Sequence, residues 1–352
     1  MNKVTRFSIY FFSILIFVSI GWWGSEKYFK YIDGIPVQNW SALGGKPKPL
    51  EKYTIENLSQ TEVKAVAIDI ENNIFKFEFD PTLEYKKQNN LKTVTGLINT
   101  PNNNTNSPIV ALLRGYVDQS IYQTGVGTKR VGEYFRDNGY ITLAPDFLGY
   151  GGSSIESDNI FETRFQTYTT VLTLLKSINK KNFPNWDGKN ISIWAHSNGG
   201  QIALTVLEIT GKNYPTVLWA PVTEGFPYSI LYYTNESDDG GKFIRKELAK
   251  FESNYDSDQF SLTKHLDKIN APIQYHLGTK DDAIPLEWGE RFVKRMKALD
   301  VYSSGEKSFI NYNHSGADHN MIVTSSAYHN MNPLWSEVIL ESLNFLEKHK
   351  TN

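Results

Sequence analysis

Short apolar runs at Ile109–Leu113, Ile141–Ala144, Ile191–Trp194, Val217–Trp219, Ile273–Leu277 and Phe309–Tyr312 read as strands. Stretches of helical length near Val131–Asn138, Phe161–Ser177, Gly199–Glu208, Trp288–Leu299 and Trp335–His349 lie between and after them. Strands without alternation, separated by helices, predict an α/β domain built on a mostly parallel, doubly wound sheet covered on both faces. Upstream the pattern changes. Alternating runs at Ala65–Ile70 and Ile74–Phe79, broken by Asn and Pro clusters, predict a small β extension over 28–106, leaving 107–350 for the α/β domain. Val222–Lys268 interrupts the alternation. It is rich in Tyr, Asp, Ser and Gly, has a helix pattern at Lys242–Phe251, and reads as an insertion over the top of the sheet.

The first 27 residues form a segment of another kind. Lys3 and Arg6 precede an uncharged stretch from Phe7 to Gly24, followed by Ser25, Glu26 and Lys27, the layout of an export signal. The stretch is long for a cleaved signal and just long enough to span hydrocarbon as a helix. Trp22 and Trp23 have the character of an interfacial belt, and no A-x-A pattern stands at a cleavage point. The expectation is an N-terminal apolar helix anchoring an exported chain to a membrane with the rest outside, or a secreted protein if the leader is cut.

Composition removes several function classes. The 36 basic and 38 acidic residues leave a formal charge of −2, so no bulk positive field favours nucleic acid. The absence of cysteine excludes disulfides, thiolate metal sites and a nucleophilic thiol. Hydrophobic residues at 40% give this 352-residue chain material for a large core without staples.

The densest chemical signal is I-S-I-W-A-H-S-N-G-G at Ile191–Gly200, a strand running straight into a serine and then a helix. A serine at such an elbow adopts a strained backbone, and small neighbours let strand and helix approach closely. Ala195 and Gly199 hold those positions, Ala195 departing from the usual glycine of G-x-S-x-G. The bland alternative makes Ser197 a helix N-cap.

A serine hydroxyl needs a base, and the base needs an acid to orient it. G-T-K-D-D-A-I-P at Gly278–Pro285 follows a predicted strand and offers Asp281 as the acid, with Asp282 as the cap of the next helix; both could also be simple turn carboxylates. After the last predicted strand, N-Y-N-H-S-G-A-D-H-N-M offers His319 as the base, with His314 read as structural. His196 reads as a packing or hydrogen-bonding residue. A metal set of His314, Asp318 and His319 lacks any known ligand spacing, so no metal is assigned and no cofactor is demanded. Oxyanion donors are expected from the N–H of Asn198, after the nucleophile, and from Tyr116 in the R-G-Y that follows the strand Ile109–Leu113.

Together L-L-R-G-Y at Leu112–Tyr116, A-P-D-F-L-G-Y-G-G-S at Ala144–Ser153, A-H-S-N-G-G at Ala195–Gly200, G-T-K-D-D-A-I-P at Gly278–Pro285 and G-A-D-H-N-M at Gly316–Met321 resemble the α/β-hydrolase superfamily. Within it the resemblance is to the prolyl-oligopeptidase-like and dienelactone-hydrolase-like branch, over about Thr93 to His349. It implies an α/β-hydrolase fold and a Ser-His-Asp hydrolase of esters or peptide bonds, with Ser197, Asp281 and His319 matching the triad. It also makes Asp146 a structural carboxylate supporting the elbow. Arg114 departs from the family, standing where a His-Gly pair is common. The stretch between Gly24 and the hydrolase region is too short for the β-propeller that filters peptides in the oligopeptidases.

The leading expectation is therefore a serine hydrolase, esterase preferred over peptidase, acting on a small-molecule ester or peptide. Phe226, Tyr228, Tyr232 and Tyr233 of the insertion are the candidate lining of an acyl pocket, or else packing. A non-catalytic binding module on the same fold is the alternative from another class.

Overall fold

The computed structural model describes residues 47–85, 90–102, 106–234, 237, 239–323 and 333–351. The apolar stretch Phe7–Gly24, and the anchor reading made on it, lie outside the described residues. Among the described residues no helix is long and apolar enough to cross a membrane. Two compact units, Met1–Pro49 and Leu50–Asn352, divide the chain, and the second holds every element described.

Its centre is one nine-stranded sheet: β1 (Asp69–Glu71), β2 (Ile74–Phe79), β3 (Lys92–Asn99), β4 (Ser107–Leu113), β5 (Ile141–Pro145), β6 (Trp186–His196), β7 (Thr216–Trp219), β8 (Ile273–Gly278) and β9 (Phe309–His314). The spatial order is β1-β2-β3-β5-β4-β6-β7-β8-β9. From β5 to β9 all neighbours are parallel. β1, β2 and β3 join antiparallel at the β5 edge.

The burial of each strand follows from that position. Every residue of β4, β7 and β8 is buried, because parallel strands under helices have no wet face. At the antiparallel end, Phe75, Phe77 and Phe79 of β2 are buried while Lys76 and Glu78 between them are exposed, the period of two of a half-covered sheet. The strands between 69 and 99 thus belong to the same sheet as the α/β region.

Helices cover both faces. Trp219 of β7 meets Trp335 of helix Pro333–Lys348, which in turn touches Tyr134 of helix Lys129–Asp137. On the opposite face, Gly289 of helix Leu286–Ala298 sits against Tyr275 of β8. Helix Asn198–Thr210 packs on helix Ile160–Lys176. The latter starts where Asn159 accepts from the N–H groups of Phe161 and Glu162, and the former stops at Gly211 in the left-handed conformation. The insertion 222–268 holds the helices Tyr228–Tyr233 and Lys242–Glu252 followed by three short 3₁₀ turns.

Candidate active site

After β4 the chain moves to β5 on one side, and β6 returns to the other side of β4. Such a switch point opens a crevice at the carboxyl ends of the central strands. There β6 ends at His196 and the helix begins at Asn198, with Ser197 between them at φ 54° and ψ −122°. A non-glycine residue in that conformation is strained and persists only where its surroundings hold it. The Ser197 N–H donates to Trp219 O at 3.0 Å, and its carbonyl accepts from Gly200 at 3.0 Å and Val222 at 2.9 Å. The turn also needs the absence of side chains beside it. A Cβ on Gly199 would stand 2.1 Å from the carbonyl oxygen of Leu113, and one on Gly200 would stand 2.3 Å from Pro221 Cβ.

Asp281 lies just past the end of β8. Its Oδ1 accepts from the N–H groups of Ala283 at 2.9 Å and Ile284 at 2.8 Å, which fixes the carboxylate on its own loop. His319, on the loop after β9, places Nδ1 3.0 Å from Oδ1 and 2.9 Å from Oδ2. A carboxylate only accepts, so Nδ1 carries the hydrogen and Nε2 is left with a lone pair. The Asp281 side chain is 1% exposed and that of His319 15%, so the pair sits out of bulk water with the imidazole nearer the opening.

Ser197 and His319 line one cavity of about 860 Å³, together with Gly115, Tyr116, His196 and Asn198. The Ser197 hydroxyl and the His319 ring are not hydrogen-bonded to each other, a contact that often tightens only with substrate in place. The N–H groups of Tyr116 and Asn198 have no acceptor among the described residues, as free donors at such a site require. Gly115 is the point of closest approach between the loop after β4 and the elbow: a Cβ there would be 2.9 Å from Ser197 Cβ.

His196 is built into this arrangement. Its Nε2–H donates to the carbonyl oxygen of His319 at 3.0 Å, and the two rings lie 4.7 Å apart. Burial first, and the neighbouring His319 next, push His196 down to about 4, so it is a neutral donor at ordinary pH.

The aromatics expected to line an acyl pocket separate. Tyr233 lines the cavity and donates through its hydroxyl to Ala283 O at 2.9 Å. Phe226 is buried among Phe161, Phe165, Phe251 and Phe260 and lines none of it. Tyr228 is exposed, and Tyr232 leans on Trp288. The three groups considered for a metal are likewise apart in role. His314 Nε2 faces His276 Nδ1 at 2.9 Å, while Asp318 Oδ1 accepts from the N–H groups of Asn320 and Ile322.

Comparison with known proteins bears on what such a site belongs to. The family model described as the prolyl oligopeptidase family matches residues 128–332, more than half of the chain. The chain belongs to the prolyl oligopeptidase family. It is accordingly a serine hydrolase. No curated protein matches it. Among solved structures, the apo form of Thermogutta terrifontis esterase 2 is similar at 15% identity and a TM-score of 0.50, over 82% of this chain and 96% of that one. A Pyrococcus furiosus esterase is similar at 18% identity and a TM-score of 0.48, over 86% and 97%. At 15% identity the likeness to esterase 2 is one of fold alone, and with the family match that fold is the α/β-hydrolase fold.

Within this family member, two arginines gain a meaning that spacing alone did not give. Arg114, out of place against the family pattern, is buried between the rings of Tyr122 and Tyr150 at 4.6 and 4.0 Å. It donates to the carbonyl oxygens of Gly115 at 2.9 Å and Asp146 at 3.1 Å, tying the loop after β4 to the loop after β5. The Asp146 carboxylate, fully buried, accepts from Thr95 at 2.5 Å, Tyr122 at 2.7 Å and Thr124 at 2.9 Å. Its bonds are those of a structural carboxylate. The second arginine, Arg164, reaches the cavity wall from helix Ile160–Lys176. No motif marks it.

Proposed function

We propose that this serine hydrolase cleaves carboxylic esters through an acyl-enzyme, with Ser197 as nucleophile, His319 as base and Asp281 as its orienting acid. The observation that carries the reading is the His319–Asp281 pair, which leaves the Nε2 lone pair available in the same cavity as the strained Ser197. Ser197 Oγ adds to the substrate carbonyl carbon as its proton passes to His319 Nε2. The oxyanion that forms is received by the N–H groups of Tyr116 and Asn198. Collapse breaks the bond to the leaving alcohol, which takes the proton from His319. Water then repeats the sequence on the acyl-enzyme, releasing the acid and returning the proton to Ser197.

Peptide-bond cleavage is the second reading, favoured by the family match over 128–332. Ester cleavage is preferred because 69–99 supply edge strands of the hydrolase sheet rather than blades of a size filter. The test is labelling by a fluorophosphonate, with Ser197→Ala as control, followed by turnover of 4-nitrophenyl acyl esters against aminoacyl and prolyl anilides. Turnover of the anilides alone sinks the esterase preference. An unlabelled, folded wild type sinks the nucleophile and returns the chain to a binding role.

The export reading belongs to the same proposal: Lys3, Arg6 and the apolar Phe7–Gly24 support a chain carried across a membrane and held there, or released if cut. The mass of the mature N-terminus separates the two.

A further inference from the structure

Arg164 contributes a permanent positive charge to the cavity wall, since a guanidinium stays protonated at any working pH. Its Nη2 donates to Gln201 Oε1 and, at 3.4 Å, to Ser229 Oγ, both neutral groups. Its Nε is buried with no acceptor. No carboxylate pairs with it among the described residues. Of the described acids, Glu162 is engaged with Tyr53 and Ser157, Glu224 with Arg291 at 2.5 Å, and Asp281 with His319.

Among the described residues, the rest of the cavity lining supplies no counter-charge. Apart from Arg164 and the two histidines it consists of neutral polar residues and apolar ones such as Val222, Ile230 and Ile244. A smaller hollow of about 190 Å³ shares Tyr116, Arg164, Asn198 and Gln201 with it, so the guanidinium stands where two recesses meet one turn of helix from the elbow. A half-buried cation with an unmet donor and no acid partner is costly in a free enzyme, and the cost is recovered when a ligand brings the anion.

From this we infer that Arg164 is the anion subsite of the cavity and that the physiological substrate is an ester or amide carrying a carboxylate a few bonds from the scissile carbonyl. The inference rests on the reading of Ser197 only for the word substrate; the subsite itself is a statement about binding.

The test therefore has a catalytic arm and a binding arm. In the first, wild type hydrolyses mono-4-nitrophenyl adipate and 4-nitrophenyl hexanoate, which share an acyl length and differ in a terminal carboxylate. A second pair, 4-acetoxybenzoate and phenyl acetate, carries the charge on the alcohol side. The expected result is a ratio of kcat/KM in favour of the charged member of at least one pair of about 10- to 100-fold, the range of a charge-assisted hydrogen bond. Arg164→Met brings that ratio to about one, and Arg164→Lys keeps part of it. In the second arm, calorimetry on Ser197→Ala measures monomethyl adipate against dimethyl adipate, before and after adding Arg164→Met. Preference for the neutral members, or a charged preference that survives Arg164→Met in a protein with an unchanged melting curve, overturns the subsite. If wild type turns over no ester yet the monoanion binds through Arg164, the esterase reading fails and the subsite stands.

Discussion

The ring of His196 and the backbone of His319 are joined by one hydrogen bond, Nε2–H to carbonyl oxygen at 3.0 Å. His196 precedes Ser197 and His319 lies on a loop far along the chain, so this bond ties the strand that ends at the elbow directly to the loop that carries His319. A loop residue positioned this way loses precision when the tie is cut, and small misplacements of reacting groups are expensive in rate. His196→Phe, which keeps a ring and removes the donor, is expected to lower kcat by about 10- to 100-fold with KM little changed. His196→Gln, whose amide can donate from a similar place, should recover most of it. Because burial holds His196 near 4, the ring is neutral at working pH and His196→Gln removes no charge from the site. Equal rates for the Phe and Gln variants would refute the tie.

Asp281, proposed above as the orienting acid, offers a clean substitution. Its Oδ1 holds the loop through Ala283 and Ile284 N–H, and an asparagine oxygen can do the same. What Asp281→Asn removes is the charge and the second acceptor that keep the His319 hydrogen on Nδ1. A fall in kcat of about 10³- to 10⁴-fold is expected, with fluorophosphonate labelling slowed in parallel and the melting temperature close to wild type. A fall under tenfold would exclude Asp281 as the orienting acid.

Much of this was legible in the chain. The six predicted strands lie inside β4 to β9, and β4 and β7, buried throughout, are written as continuous apolar runs. β3 escaped notice: in K-T-V-T-G-L-I-N the alternation is blurred and a glycine interrupts it. The helix Ile55–Gln60 is too short to show a period. At the site, residues named by a motif were legible and residues defined by their surroundings were not. Phe226 and Tyr233 are equally aromatic and seven positions apart. Whether each faces the core or the cavity is decided by Phe161, Phe251 and Phe260 on distant segments. Arg164 is the extreme case, since its significance is the lack of a carboxylate partner among the described residues.

Two glycines near the elbow separate activity from stability. A Cβ at Gly115 would meet Ser197 Cβ at 2.9 Å and His196 Nδ1 at 3.2 Å, crowding side chains of the site rather than the main chain of the core. Gly115→Ala is expected to cost more than tenfold in kcat/KM while unfolding near the wild-type midpoint. A Cβ at Gly199 would meet the carbonyl oxygens of Leu113 and Arg114 at 2.1 and 2.6 Å, where only the backbone can give way. Gly199→Ala should lower stability by about 1–3 kcal/mol or more and reduce activity with it. Paired denaturation and activity measurements check both, and a stable, fully active Gly199→Ala would contradict the close approach of helix and strand.

Stability should also carry two opposite pH dependences from groups outside the site. Burial holds His276 of β8 well below its ordinary 6.5, so the unfolded chain takes up a proton there that the fold refuses, and stability falls as pH drops through 6.5. Burial, and then repulsion from Asp267, hold Glu208 of helix Asn198–Thr210 well above its ordinary 4.5, with neither carboxyl oxygen hydrogen-bonded. Here the unfolded chain releases a proton that the fold keeps, so the contribution of Glu208 is fully present below 4.5 and is lost as pH rises through the folded value. Glu208→Gln removes that loss, and Glu208→Met also removes the unmet polar atoms, worth about 1–3 kcal/mol. Urea denaturation between pH 5 and 8 should show Glu208→Met gaining on wild type as pH rises. A gain that is the same at every pH would mean that Glu208 is not held protonated, and a loss would mean that its carboxyl is paired.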